Sequence, residues 1–180
     1  TDDARLVFRV LREAAHAGAR ALNYARVEGL VRDGAGNARA VVVRSVAGGG
    51  VAEARARAVV NATGAWAGEP GAPLGAPDDL SLRPLRGSHL VFPWEKLPTA
   101  GAVTFAHPED GRPVFAYPWE GVTLTGTTDL DHEEPLDREP AAAPEEVDYL
   151  LEALRSRFGE AGISPRDLLG TFSGVRPVVS

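Results

Sequence analysis

The sequence contains no cysteine and no methionine. Without cysteine there are no disulfides, no thiolate metal sites and no cysteine nucleophile, and the composition suits a reducing compartment. Neither a Gly-x-Gly-x-x-Gly nor a Walker loop occurs, so nothing in this stretch grips a pyrophosphate in the usual way. A Gly-x-Ser-x-Gly elbow is also missing, which excludes the common serine-hydrolase arrangement. Long apolar runs are lacking: none spans a bilayer, and no basic, apolar, small-residue leader precedes the first helix-like segment. Positive charge is in deficit, with 19 Lys and Arg against 25 Asp and Glu, a net charge of −6 and a pI near 5.2. That balance provides no broad attraction to nucleic acid or to an anionic membrane, so a nucleic-acid partner is not expected. A chain that opens at Thr1 without any methionine and stops at Ser180 inside a strand-like run reads as an internal piece of a longer protein.

What is present is enough for a core: 44% of the 180 residues are hydrophobic, sufficient for one large or two small folded lobes. Asp2 and Asp3 can cap a helix with Leu6, Val7, Val10, Leu11 and Ala14 on one face and Gly18 as its stop, and such a face is expected to pack on something. Strand-like runs follow at Ala25 to Arg32, Ala38 to Val46 and Val51 to Val60, separated by Asp33-Gly34-Ala35-Gly36-Asn37 and Gly48-Gly49-Gly50, and they predict an antiparallel meander. The third run leads into Asn61-Ala62-Thr63-Gly64, whose small residues allow close backbone approach. Gly, Pro and Ala then dominate Gly68 to Asp79, marking a boundary between a first lobe (1–67) and a second (80–180), with 68–79 as linker. The second lobe has β-rich runs at 82–92, 102–105, 113–117 and 122–127, then a helix opening at Pro144 with Val147, Leu150, Leu151, Leu154 and Phe158 on one face. It ends in a strand from Leu168 to Val175 that stops at Arg176-Pro177. The expected class is α+β, a mostly antiparallel sheet with flanking helices beside a small meander.

Two side chains stand out chemically. His89, in a β-rich run, is suited to take a proton from a hydroxyl, since imidazole alone among unperturbed side chains titrates near neutrality; a hydrogen-bonded structural histidine is the alternative. Arg176, after Ser173-Gly174-Val175, offers a planar fork for carboxylate or phosphate oxygens, with a structural ion pair as the alternative. Arg86 carries the same ambiguity and leans toward structure. Ser88 points away from its neighbour His89 on a strand, so the two cannot form a nucleophile and base pair. The acidic run Asp129 to Glu134 lacks a calcium-loop pattern and reads as a solvated connection; no metal site is expected.

Taken in order, Asp2-Asp3-Ala4-Arg5-Leu6, Val60-Asn61-Ala62-Thr63-Gly64, Leu85-Arg86-Gly87-Ser88-His89, Tyr117-Pro118, Gly126-Thr127-Thr128-Asp129 and Thr171-Phe172-Ser173-Gly174-Val175-Arg176-Pro177 resemble the middle of FAD-dependent glycerol-3-phosphate dehydrogenases. These belong to the flavoprotein superfamily that is similar to D-amino-acid oxidase. The resemblance covers nearly the whole chain. It implies a partial two-lobed FAD-dependent oxidoreductase fold whose flavin oxidises sn-glycerol 3-phosphate to dihydroxyacetone phosphate and passes electrons to a quinone or to oxygen. It further implies that His89 stands near the substrate hydroxyl, Arg176 at the phosphate, and Thr63 and Gly64 in the wall near the cofactor. By the same resemblance the parent protein is cytoplasmic with peripheral membrane contact. The pyrophosphate loop and ribose-binding acid are absent here, so the isolated piece is expected to bind no FAD and to be inactive. An amine or hydroxy-acid oxidase of the same fold, or a noncatalytic folding or interaction domain, are the competing readings.

Overall fold

The computed structural model describes residues 2–68 and 81–179, and their contacts divide into two units that part between Asn61 and Ala62. In the first unit, helix α1 (Asp3–His16) begins where the Asp2 carboxylate accepts the Arg5 amide at 3.0 Å, and it ends before Gly18 at φ +93°. Its apolar face was expected to pack, but no residue of α1 is buried and Leu6, Val7, Val10 and Leu11 are all exposed. Strands β1 (Ala25–Arg32), β2 (Ala38–Ser45) and β3 (Val51–Arg55) form the predicted antiparallel meander. Asp33 closes the first turn by accepting the amides of Ala35 (3.0 Å) and Asn37 (2.9 Å), and Gly36 takes the positive φ that the reversal requires.

The third strand is shorter than the sequence suggests, ending at Arg55 rather than Val60. The reason is the register. Arg55 lies opposite Ala40, and after one more rung from the Ala56 amide to the Arg39 carbonyl, only Ala38 of β2 remains before the turn. Val60 is accordingly exposed.

The second unit opens at Ala62. A short 3-10 turn, Gly64–Gly68, buries Ala65 and packs against β4 and β9. Residues 62–67, grouped with the first lobe on sequence, thus make their contacts here; the proposed linker 68–79 lies, apart from Gly68, outside the described residues. A six-stranded antiparallel sheet follows, built from β4 (Leu82–Pro93), β5 (Val103–Ala106), β6 (Pro113–Trp119), β7 (Val122–Gly126), β8 (Leu130–Asp131) and β9 (Gly170–Val179). The long β4 is central. Residues 89–93 pair with β7 and residues 85–86 with β8 along one edge, while β9 pairs along the other from Leu82 to Val91. The last strand runs four residues beyond the predicted stop, through Arg176 and Pro177. Proline is tolerated because β9 pairs only with β4 among the described residues, and an edge strand needs donors on one side alone.

Helix α2 (Pro144–Arg157) covers one face of this sheet. Its apolar stripe places Leu150, Leu151 and Leu154 against Leu90 and Phe92 of β4, with Leu97, Val114 and Ile163 completing the core. Each fully buried leucine contributes about 1.5–3 kcal/mol, so this contact fastens the helix to the sheet. Strand alternation then decides everything about the other face. Arg86, Ser88, Leu90 and Phe92 point to α2, and Gly87 and His89 point away from it.

Candidate active site

On the face of the sheet turned from α2, a cleft of about 280 Å³ is lined by Gly87, His89, Thr127 and the run from Phe172 to Arg176. The two residues singled out from sequence, His89 on β4 and Arg176 on β9, meet there. Thr63 and Gly64 are not among its lining residues; Gly64 begins the 3-10 turn with φ +63°.

Glycines make the room. His89 lies opposite Gly126 of β7, and a Cβ on Gly126 would run into the imidazole Cδ2, with Cγ and Nε2 both only 2.7 Å away. A Cβ on Gly87 would meet the Arg176 guanidinium and, at 2.6 Å, the Thr127 hydroxyl. The His89 and Arg176 side chains therefore lie across bare backbone. A Cβ on Gly174 would meet nothing, because that position opens into the cleft.

The imidazole of His89 is stacked on Phe172, its partner on β9, with ring centroids 4.7 Å apart and planes 1° from parallel. Its Nδ1 is enclosed without a hydrogen-bond partner among the described residues. Burial, and secondarily the nearby Arg176 cation, hold its pKa below the ordinary histidine value. A neutral ring at neutral pH is the form that can accept a proton.

Arg176 has both kinds of partner that its residue type allows. Its Nη2 donates to the Thr128 carbonyl at 2.8 Å and lies 3.3 Å from the Asp129 carboxylate. The side chain is nevertheless 47% exposed, leaving the rest of the donor fork open to an anion in the cleft. Arg86, by contrast, is a structural ion pair with Glu146, at 2.7 Å across a nearly dry contact.

The acidic run is solvent-exposed as expected, save for the buried His132, and its carboxylates form surface ion pairs: Asp129 faces Arg176 and, at 3.6 Å, Arg112, and Asp131 pairs with Arg83. Pairing of β8 with β4 brings these carboxylates to the sheet. Sequence reasoning missed Phe172, Thr128 and Glu146. Glu146, in the first turn of α2, reaches back to the Ala143 amide at 2.9 Å, and nothing along the chain signals that it also sits beneath β4.

Of the residues present, those of the cleft fit the substrate end of a flavin site. The chain has no glycine-rich pyrophosphate loop.

The family model described as DAO, FAD dependent oxidoreductase, matches residues 1–180. The chain is 33% identical over 179 residues to an aerobic glycerol-3-phosphate dehydrogenase of Staphylococcus haemolyticus and 36% identical over 179 residues to that of Bacillus subtilis, covering 99% of this chain and 32% of each relative. Among solved structures, the glycerol-3-phosphate dehydrogenase of Bacillus halodurans complexed with FAD superposes with a TM-score of 0.83 at 30% identity, over 100% of this chain and 36% of that one. A glycine oxidase of Bacillus cereus, at TM-score 0.61 and 18% identity over 93% of this chain and 41% of that one, shares the fold alone. The chain thus spans about a third of the length of the dehydrogenases it matches.

Proposed function

From a chain that belongs to the FAD dependent oxidoreductase family, we propose the substrate half of a glycerol-3-phosphate dehydrogenase site, within a longer protein that oxidises sn-glycerol 3-phosphate to dihydroxyacetone phosphate. The observation that carries this reading is the pairing, over one glycine floor, of a histidine kept neutral by burial with an arginine whose donors face the same cleft. Oxidation of a secondary alcohol to a ketone removes a proton from oxygen and a hydride from carbon. His89 takes the hydroxyl proton on a ring nitrogen. Arg176 binds the phosphate end and thereby orients the carbinol carbon. Bound flavin supplies the two-electron acceptor for the hydride. The Phe172 ring beneath His89 limits its rotation and excludes water from one of its faces.

Thr63 and Gly64 belong to this proposal as contacts near the cofactor, and residues 1–67 and 80–180 as parts of a flavin lobe and a substrate lobe. The acceptor of the electrons is a quinone or oxygen, and the parent protein is cytoplasmic with peripheral membrane contact. No helix among the described residues is long and apolar enough to cross a membrane.

Expressing the full reading frame tests the proposal. A yellow protein that reduces a dye with glycerol 3-phosphate is expected. A flavoprotein reduced by an amine or a hydroxy acid instead would move the chain to the oxidase reading, and one with no flavin at all would return it to a noncatalytic domain.

A further inference from the structure

Glu146 is 1% exposed, yet it is ringed by donors. From the first turn of α2 its Oε2 accepts from Arg86 (Nε 2.9 Å, Nη2 2.7 Å) and from the Ala143 amide at 2.9 Å. Its Oε1 accepts from the hydroxyls of Ser88 at 2.8 Å and Thr128 at 2.6 Å. Burial opposes its ionisation, but the Ala143 amide, the two hydroxyls and Arg86 outweigh that and hold its pKa below the usual carboxylate value. Such a group is fully satisfied, and that makes it a fixed point.

Two of its ties lead through the sheet to the cleft. Thr128 Oγ1, while donating to Glu146, accepts the Ser88 amide at 2.8 Å, so its hydroxyl is held on both sides. The carbonyl of the same residue accepts from Arg176 Nη2. Ser88 Oγ, the other ligand of Glu146, shares a hydrogen bond of 2.7 Å with Ser173, three residues before Arg176 on β9. Without the Thr128 hydroxyl, the segment between β7 and β8 keeps only one long bond to β4 at this residue, from the Thr128 amide to the Ser88 carbonyl at 3.4 Å.

We propose that Thr128 and Glu146 are positioning residues for the Arg176 anion clamp: Glu146, across the sheet from the cleft, fixes the Thr128 hydroxyl and so aims the Thr128 carbonyl that orients the guanidinium. The proposal rests on the reading of Arg176 as the phosphate contact. The physical reason for such a device is competition. Arg176 also lies beside Asp129, and a guanidinium that slides wholly onto a carboxylate has its charge neutralised and its fork occupied. A neutral carbonyl orients the same side chain and leaves its charge for the ligand.

The test uses the full-length, flavin-loaded protein with glycerol 3-phosphate and with glycerol. Thr128→Val should raise KM for glycerol 3-phosphate by about 10- to 100-fold, with the use of glycerol little changed and any fall in kcat confined to the phosphate ester, as expected when a contact that orients the phosphate end is lost. Thr128→Ser, which keeps the hydroxyl, should restore the wild-type preference. Binding of inorganic phosphate, read by calorimetry, should weaken in Thr128→Val in parallel. Should Thr128→Val not accumulate as holoprotein, Glu146→Gln carries the same test, with a smaller loss in the same direction. Equal losses for both substrates, an unchanged preference, or failure of Thr128→Ser to rescue would overturn the proposal. Arg176→Ala separates the two layers. If it abolishes the phosphate preference while Thr128→Val does not, only the positioning role falls; if it leaves the preference intact, the phosphate reading falls and the positioning role with it.

Discussion

His89 owes its proposed role to enclosure. Because burial first, and Arg176 second, lower its pKa, the acid limb of a kcat/KM profile is expected below the ordinary histidine value of about 6.5. Arg176→Ala should move that limb up only part of the way, since burial remains; a limb unmoved by the change would show that the two side chains do not interact. The linkage follows the same sign. The stability His89 contributes as a neutral ring is complete above the unfolded pKa and is lost as pH falls from there through the lowered folded value, since the unfolded chain binds the proton first. His89→Ala in the full-length protein should slow flavin reduction by about 10²- to 10⁴-fold, read by stopped flow; near-normal reduction would return His89 to a structural role. Arg176→Ala should weaken the use of glycerol 3-phosphate by about 2 to 5 kcal/mol, with Arg176→Lys in between because a point charge keeps attraction but loses the two-pronged fit. If Arg176 served only Asp129, the loss would appear in thermal stability without a change of preference.

At the level of elements, β4 divides the labour, with one face for the core and the other for the cleft. Leu151→Ala on α2 empties a fully buried position and should cost about 2 to 5 kcal/mol in denaturant unfolding. The glycines of the flanking strands give a sharper contrast. An added methyl at Gly174 meets open space, so Gly174→Ala should leave the unfolding midpoint nearly unchanged while raising KM, because the methyl projects into the cleft. At Gly126 the methyl meets the His89 ring, so Gly126→Ala should displace the imidazole and lower kcat. Equal behaviour of the two variants would mean that the strand floor does not shape the site. Its β-rich composition made β4 readable from its residues, as hydrophobic periodicity did for α2. The end of β3 was not readable, because it depends on the register that sets Arg55 opposite Ala40, two residues from the start of β2.

Across the molecule, a purified preparation of these 180 residues should be colourless, because the sequence has no loop to hold a pyrophosphate; a flavin spectrum near one equivalent would contradict this. Local chemistry alone determined much: turns at Asp33 and Gly48, the start of α2 at Pro144, the antiparallel class, and the motifs whose order carried the resemblance. These follow from short-range preferences of φ, capping and side-chain period, which act within a few residues of the chain. His89 and Arg176 were chosen by type, but their meeting was decided by the pairing of β4 with β9 across more than eighty residues of sequence, for which no local preference exists. The same holds for Glu146. A glutamate in the first turn of a helix is an ordinary surface charge until tertiary packing lays that helix over Ser88 and Thr128, and only then does the cost of burying the carboxylate oblige two distant segments, β4 and the connection holding Thr128, to supply its hydrogen bonds.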